Sequence, residues 1–346
     1  MANARCNAVI RKAEDDAETR LLRELERKFS VMGKSALKRD VLNAIGAGDL
    51  ALVFQLLDFA GFTEDAGNIS QILADSARRT GIGRLRGMLD RARAREEAAR
   101  ATALRMPHTG VINIAFDVVD MNVVRYGERR AAELVVEISE TMRATIREHI
   151  VTAVKAGHGS PQRTARILAR IVPLHSRYAR AVVRREETLL AQYLKGGMAE
   201  DKATAKAAQM ADRYAAKLTR SRARTIARTE IMTASNYGQL EGVRTSMGAG
   251  LMTDPSVGKY LVTKEWVTAE DERVCPVCGP LHDTQVDFNE PFPNGTLVPP
   301  AHPNCRCSFN VIDNADQWDF DGDGTAEEEY ADLTPLMHAQ MRFGII

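Results

Sequence analysis

The 346-residue sequence predicts a mainly α-helical protein with a small C-terminal α+β module around a zinc-knuckle-like cysteine cluster. Three observations lead there. Aromatic residues make up only 5% of the chain while alanine and arginine abound, which disfavours a β-sandwich. Apolar residues recur at helical spacing over most of the first 250 positions. Four of the five cysteines fall in two short pieces, "CPVC" at 275–278 and "PPAHPNCRC" at 299–307.

The elements follow in order. "EDDAETRLLRELERKF" places Leu21, Leu25 and Phe29 four residues apart, and "DLALVFQLLDFAGF" continues the pattern with Asp49 and Gly61 as caps. "SARRTGIGRLRGMLDRARAREEAAR" reads as a basic helix. β-Branched residues cluster around Pro107 and Gly110, marking a boundary, and helix resumes at about Glu128. "SPQRTARILARIV" opens with Ser160 as N-cap and Pro161 at the first helical position. The helix around "ARTEIMTASNYGQLEG" carries Ile226, Glu230, Thr233, Tyr237 and Leu240 as one stripe. Glu230 therefore lies on a packed face and needs a partner. Beyond Gly248, short strands and turns carry the cysteines. The resulting regions are 1–105, a helical N-terminal part; 106–250, a long-helix part; 251–312, the cysteine-rich module; and 313–346, an acidic tail.

Arg180, Arg184, Glu186 and Gln192 recur 44 residues on as Arg224, Arg228, Glu230 and Asn236, which two similarly packed arginine-rich helices explain. Charge is unevenly spread. Nine arginines and three acidic residues lie between Ser76 and Arg105, and nine acidic residues with no Lys or Arg between Val311 and Asp332. Such asymmetry fits contacts with nucleic acid or other subunits, and equally a solvated helix face with an acidic tail. No apolar run is long enough to cross a bilayer, and the N-terminus lacks the apolar core of a signal peptide. A cytosolic site of synthesis is expected, where structural disulfides are unusual.

That compartment bears on the cysteines. A C-x-x-C turn presents two thiolates to one ion and a distant pair closes a tetrahedral zinc site. Cys275, Cys278, Cys305 and Cys307 form the leading ligand set, with His302 as the alternative fourth ligand and His282 a weaker one. Thiol redox chemistry also uses C-x-x-C, but there the motif opens a helix, whereas proline and glycine surround it here. Cys6 stands apart. In the tail, Asp319, Asp321, Asp323 and Gly324 match the start of a calcium loop, with Glu329 one residue short of its closing position, held by Tyr330.

"IARTE" followed by Asn236, then "KEWVTAEDERVCPVCGPLHD", then "PPAHPNCRC" resembles, over about 160–310, the phage minor head (head morphogenesis) proteins of the Mu type. The motif positions here are Arg228, Thr229, Glu230, Asn236, Trp266, Asp271, Arg273, Cys275, Cys278, His302, Cys305, Arg306 and Cys307. The resemblance implies a structural, non-enzymatic virion protein at the capsid interior or portal vertex, made in the host cytoplasm. Its partners would be the portal protein and other capsid or scaffold proteins; the arginine-rich helices add DNA as an expected partner, and the lack of an apolar span argues against a membrane. It implies a role in head assembly and DNA packaging. Asp271 and Arg273 are expected to orient the first knuckle, with Arg273 paired to Glu230. The competing reading is a zinc-stabilised DNA-binding protein or nuclease. No P-loop, Ser-His-Asp signature or metal frame for water activation can be assembled to support an enzyme.

Overall fold

The computed structural model describes residues 2–47, 49–57, 59, 66–101, 115–155, 161–248, 262–269 and 274–313. Eight helices precede a small sheet among these residues: α1 (Ala2–Ser35), α2 (Arg39–Ala47), α3 (Leu50–Leu56), α4 (Ala66–Ala101), α5 (Ala115–Lys155), α6 (Pro161–Ile171), α7 (Ser176–Lys195) and α8 (Glu200–Gly248). The mainly helical prediction with a small C-terminal sheet therefore holds. Asp49 caps α3, its side chain accepting from the Leu52 N–H at 2.9 Å. Pro161 opens α6; Ser160, Gly61, Asp271, Arg273 and the tail that holds Asp319, Asp321, Asp323 and Glu329 lie outside the described residues.

Two helix assignments change. The helix expected from Glu128 starts at Ala115. β-Branched residues cost only a few tenths of a kcal/mol each in a helix, a penalty that the rest of so long a helix overrides. The stripe on α8 is also only part of its packed surface. Glu230 and Leu240 are buried and Ile226 and Tyr237 pack half-buried on the core, but Ala203, Ala207, Ala211, Ala215, Ala223, Ala227, Ile231 and Ala234 are buried as well. This second stripe is made of small residues, mostly four apart, a spacing that advances about 40° per step. It winds round the helix, so α8 packs on α7 with its first half and on α1, α4 and α5 further along.

Small residues allow unusual closeness where α4 crosses α8. A Cβ on Gly238 would sit 1.9 Å from the Ala77 carbonyl oxygen, and one on Gly81 would sit 2.6 Å from that of Gly238. Backbone thus touches backbone. Thr80, fully buried, adds a hydrogen bond from its hydroxyl to the Ser235 carbonyl at 3.2 Å. One continuous apolar core runs from Ala17, Leu21, Leu25 and Phe29 on α1 through Leu73 on α4 and Met142 on α5 to Ala234 on α8, spanning the 105/106 boundary.

The C-terminal module is a three-stranded antiparallel sheet in the order β2–β1–β3, with β1 Val262–Val267, β2 Gln285–Asp287 and β3 Ser308–Asp313. Alternation along β1 points Val262, Lys264 and Trp266 inward. Val262 packs with Leu240 and Val243 of α8, while Trp266 joins the cysteines. The sheet is therefore one wall of the cysteine cluster and is itself seated on α8.

Gly238→Ala is expected to cost more than about 2 kcal/mol, because rigid backbone opposes the added methyl. Thermal unfolding would show it, and an unchanged melting temperature would contradict the close crossing.

Candidate metal centre and its mounting

The two cysteine pieces come together as expected. Cys275 and Cys278 lie on the turn before a short 3₁₀ helix, Gly279–Leu281; His302, Cys305 and Cys307 lie on the segment that leads into β3. Cys275 Sγ lies 3.0 Å and Cys278 Sγ 3.3 Å from His302 Nε2, and Cys278 Sγ lies 3.8 Å from Cys305 Sγ. The donors form two overlapping triads, Cys275–Cys278–His302 and Cys278–Cys305–Cys307, each with its atoms within 4.8 Å of one another. Tetrahedral zinc with sulfur at ~2.3 Å and nitrogen at ~2.0 Å needs S···S near 3.8 Å and S···N near 3.6 Å. The donor chemistry and the 3.8 Å Cys278–Cys305 spacing fit such an ion, while the two S···N approaches are a few tenths of an ångström shorter than it needs.

The protons argue the same way. The hydrogen bond from Cys307 holds the Cys305 thiol down to about 5, and that same bond, with burial, pushes Cys307 up. Burial, then the neighbouring Cys305 sulfur, pushes Cys278 up to about 12. Thiolates so close repel one another, and a divalent cation relieves that repulsion. The His302 tautomer is also set. Its Nδ1 lies 2.9 Å from the Pro303 carbonyl, which can only accept, so in the neutral ring Nε2 faces the sulfurs with a free lone pair. His282 is used elsewhere: its Nδ1 accepts from the Thr268 N–H at 3.4 Å, and it is absent from both triads.

Trp266 is wholly buried in the same cluster as Cys278, Cys305 and Cys307, edge-on to Phe292 with ring centres 5.0 Å apart. Its indole N–H has no hydrogen-bond partner. Beside it, Lys264 is fully buried and donates from Nζ to the Phe288 carbonyl at 2.7 Å. Burial, reinforced by Arg244, lowers Lys264 to about 8. Nothing in the alternation of β1 distinguishes a buried lysine from an exposed one.

The Arg-Thr-Glu turn of α8 mounts this module, each residue gripping something different. Arg228 binds Glu18 of α1 through two bonds, at 3.1 and 3.2 Å, and reaches the Asn304 side chain at 3.4 Å. The Thr229 hydroxyl accepts from the Asn304 backbone N–H at 2.8 Å, in a turn where Asn304 has φ 62°. Glu230 is held by Arg130 of α5, Nε to Oε2 and Nη2 to Oε1, both 2.7 Å. Arg130 thus engages both carboxylate oxygens; Arg273, the partner expected from the sequence, lies outside the described residues. Two turns on, Asn236 donates to the Cys307 carbonyl at 3.4 Å and accepts from the Ser308 hydroxyl at 3.0 Å. Arg306 is half-buried between the two cysteines. Sequence reasoning missed Arg84 of α4, whose guanidinium is bonded to Gln239 of α8 and, at 3.1 Å, to the Phe309 carbonyl of β3.

Fold and site together define a long-helix protein whose cysteine–histidine module is fixed to its longest helix. Residues 187–310, from mid-α7 through β1, the knuckles and most of β3, match the family model described as Phage Mu protein F like protein. That match supports the resemblance to the phage head-morphogenesis, or minor head, proteins over this stretch. No curated protein and no solved structure matches the chain.

Two outcomes are expected. Glu230→Ala leaves the half-buried Arg130 without its bidentate partner and should cost about 2–4 kcal/mol in a denaturant titration. Lys264 binds its proton less tightly folded than unfolded, so stability should rise as pH rises from about 8 towards 10.5. In Lys264→Met that rise should disappear, measured as melting temperature against pH.

Proposed function

We propose that this protein is a structural component of a phage head, acting in head assembly through contacts rather than by turnover. The observation that carries the reading is the match over 187–310, within which Arg228, Thr229 and Asn236 lock α8 to the cysteine module. Every motif side chain with a described role is engaged with protein: Arg228, Thr229 and Asn236 on the module, Glu230 on α5. This leaves them positioned for rigidity, not for activating water. The proposed partners are the portal protein and neighbouring capsid or scaffold subunits, and the proposed place is the virion.

Within that reading the cluster holds one structural zinc. Cys275, Cys278, Cys305 and His302 are the proposed ligands, because His302 Nε2 approaches both knuckle sulfurs and Cys278 Sγ also meets Cys305 Sγ. The ion would supply cohesion between the two pieces of chain and no chemistry. Cys307 would act as an outer partner of the Cys305 thiolate.

Elemental analysis tests the ligand set. Wild type should retain one zinc per chain, Cys275→Ala and His302→Ala should lose most of it, and Cys307→Ala should retain it. Zinc should also be released as pH falls towards about 5, where protons compete for the thiolates and imidazole. Retention by His302→Ala with loss in Cys307→Ala would assign four cysteines instead. Co-expression with the phage's own portal protein tests the assembly role: the two should co-purify, and failure to associate with portal or head subunits would sink the reading.

A further inference from the structure

α7 and the first half of α8 form a helical arm. From Val183 to Lys202 no residue is fully buried, and the turn at Gly196 and Gly197 is its tip. Along α8 of this arm Lys202, Lys206, Arg213, Lys217, Arg220 and Arg224 are all exposed. At 100° per residue these six positions fall within about 60° of one another. They make a single basic ridge about 33 Å long. No acidic residue shares that arc: Asp201 and Asp212 lie about 100° and 80° outside Lys202, and Asp212 is taken by Arg170 at 2.5 Å. Arg220 reaches Glu26 at 3.0 Å and Lys206 lies 4.8 Å over the Tyr193 ring. Lys202, Arg213, Lys217 and Arg224 have no ion pair among the described residues. Packing among the described residues therefore does not explain the ridge, since four cations are held in line on a well-supported helix with no described acidic side chain paired to them.

We infer that this ridge is a binding surface for the phosphate backbone of double-stranded DNA. Its length is about one turn of B-form duplex, and a straight row of cations suits a stiff, evenly charged rod. A single strand would call for exposed aromatic faces between the cations. The arm's Tyr193 and Tyr214 are half-buried and already covered, by Lys206 and by Arg185 at 5.4 Å. No other side chain between Lys202 and Arg224 falls on this arc; Gln209 and Met210 lie about 20° beyond its two edges and the small Ala216 about 40° beyond. Contacts to phosphate carry no sequence information, so this binding is expected to be independent of sequence.

The inference rests on the phage-head reading for its setting, but its test needs only the purified full-length chain and a labelled 30-base-pair duplex, so either can fail alone. Anisotropy titrations would run from about 50 to 200 mM salt. The ridge variant Lys202→Gln, Arg213→Gln, Lys217→Gln, Arg224→Gln is compared with a charge-matched variant on α7: Arg177→Gln, Arg180→Gln, Arg184→Gln, Lys195→Gln. Circular dichroism confirms that both keep wild-type helicity. The ridge variant should bind at least about tenfold more weakly, with a log–log salt slope shallower by about 3 to 4, while the α7 variant stays near wild type. Equal losses in the two variants, or no binding by the wild type at the lowest salt, would overturn the assignment. So would full competition by a peptide of residues 316–332, which would give the ridge to the chain's own acidic stretch.

Discussion

One hydrogen bond anchors the architecture: the backbone N–H of Asn304 ends on the hydroxyl of Thr229, at the middle of the longest helix. Thr229 can accept there because its own proton is spent on the Thr225 carbonyl one turn back. Its neighbours extend the grip in two other directions, Arg228 to α1 and Glu230 to α5. Three consecutive side chains on a helix point about 100° apart, so a three-residue motif can hold three separate elements. The cysteine loop is thereby fastened to the same turn that organises the helical core, and metal binding and helix packing share one support.

This arrangement also makes sense of the buried polar groups. Glu230, Asn236, Gln239 and Arg84 would each be costly inside an apolar core, yet each is satisfied across an interface between elements. Polar pairs of this kind fix register, because sliding one element by a residue leaves several of them unpaired at once. The close α4–α8 crossing works with them: glycine brings the backbones together, and Thr80 and Arg84 then tie α4 to α8 and to the strand beyond.

Much of this was legible in the sequence, in unequal measure. The α1 stripe, the Pro161 start, the cysteine pieces and the burial of Glu230 follow from spacing and from the cost of an unpaired charge. The partner of Glu230 does not, since Arg130 is 100 residues away and no local pattern links them. The α8 stripe was incomplete because alanine and glycine carry little weight in a hydrophobic pattern, although their smallness is what lets α8 be surrounded. The faint 44-residue echo acquires a physical meaning: Glu186 and Glu230, its matched acids, are each neutralised by an arginine from a neighbouring helix, Arg170 and Arg130. Lys264 inside β1 is the converse case, where strand alternation was right and residue type misleading.

If the Arg-Thr-Glu turn is the mount for the cysteine loop, that loop should be only as stable as its contact with Thr229. Hydrogen exchange of the 299–310 segment in wild type and in Thr229→Val, which keeps the shape but removes the acceptor, measures this directly. Strong protection in wild type and its loss in the variant, with the exchange of α1 and α4 unaltered, is the predicted result. Equal protection of the segment in both proteins would contradict the account.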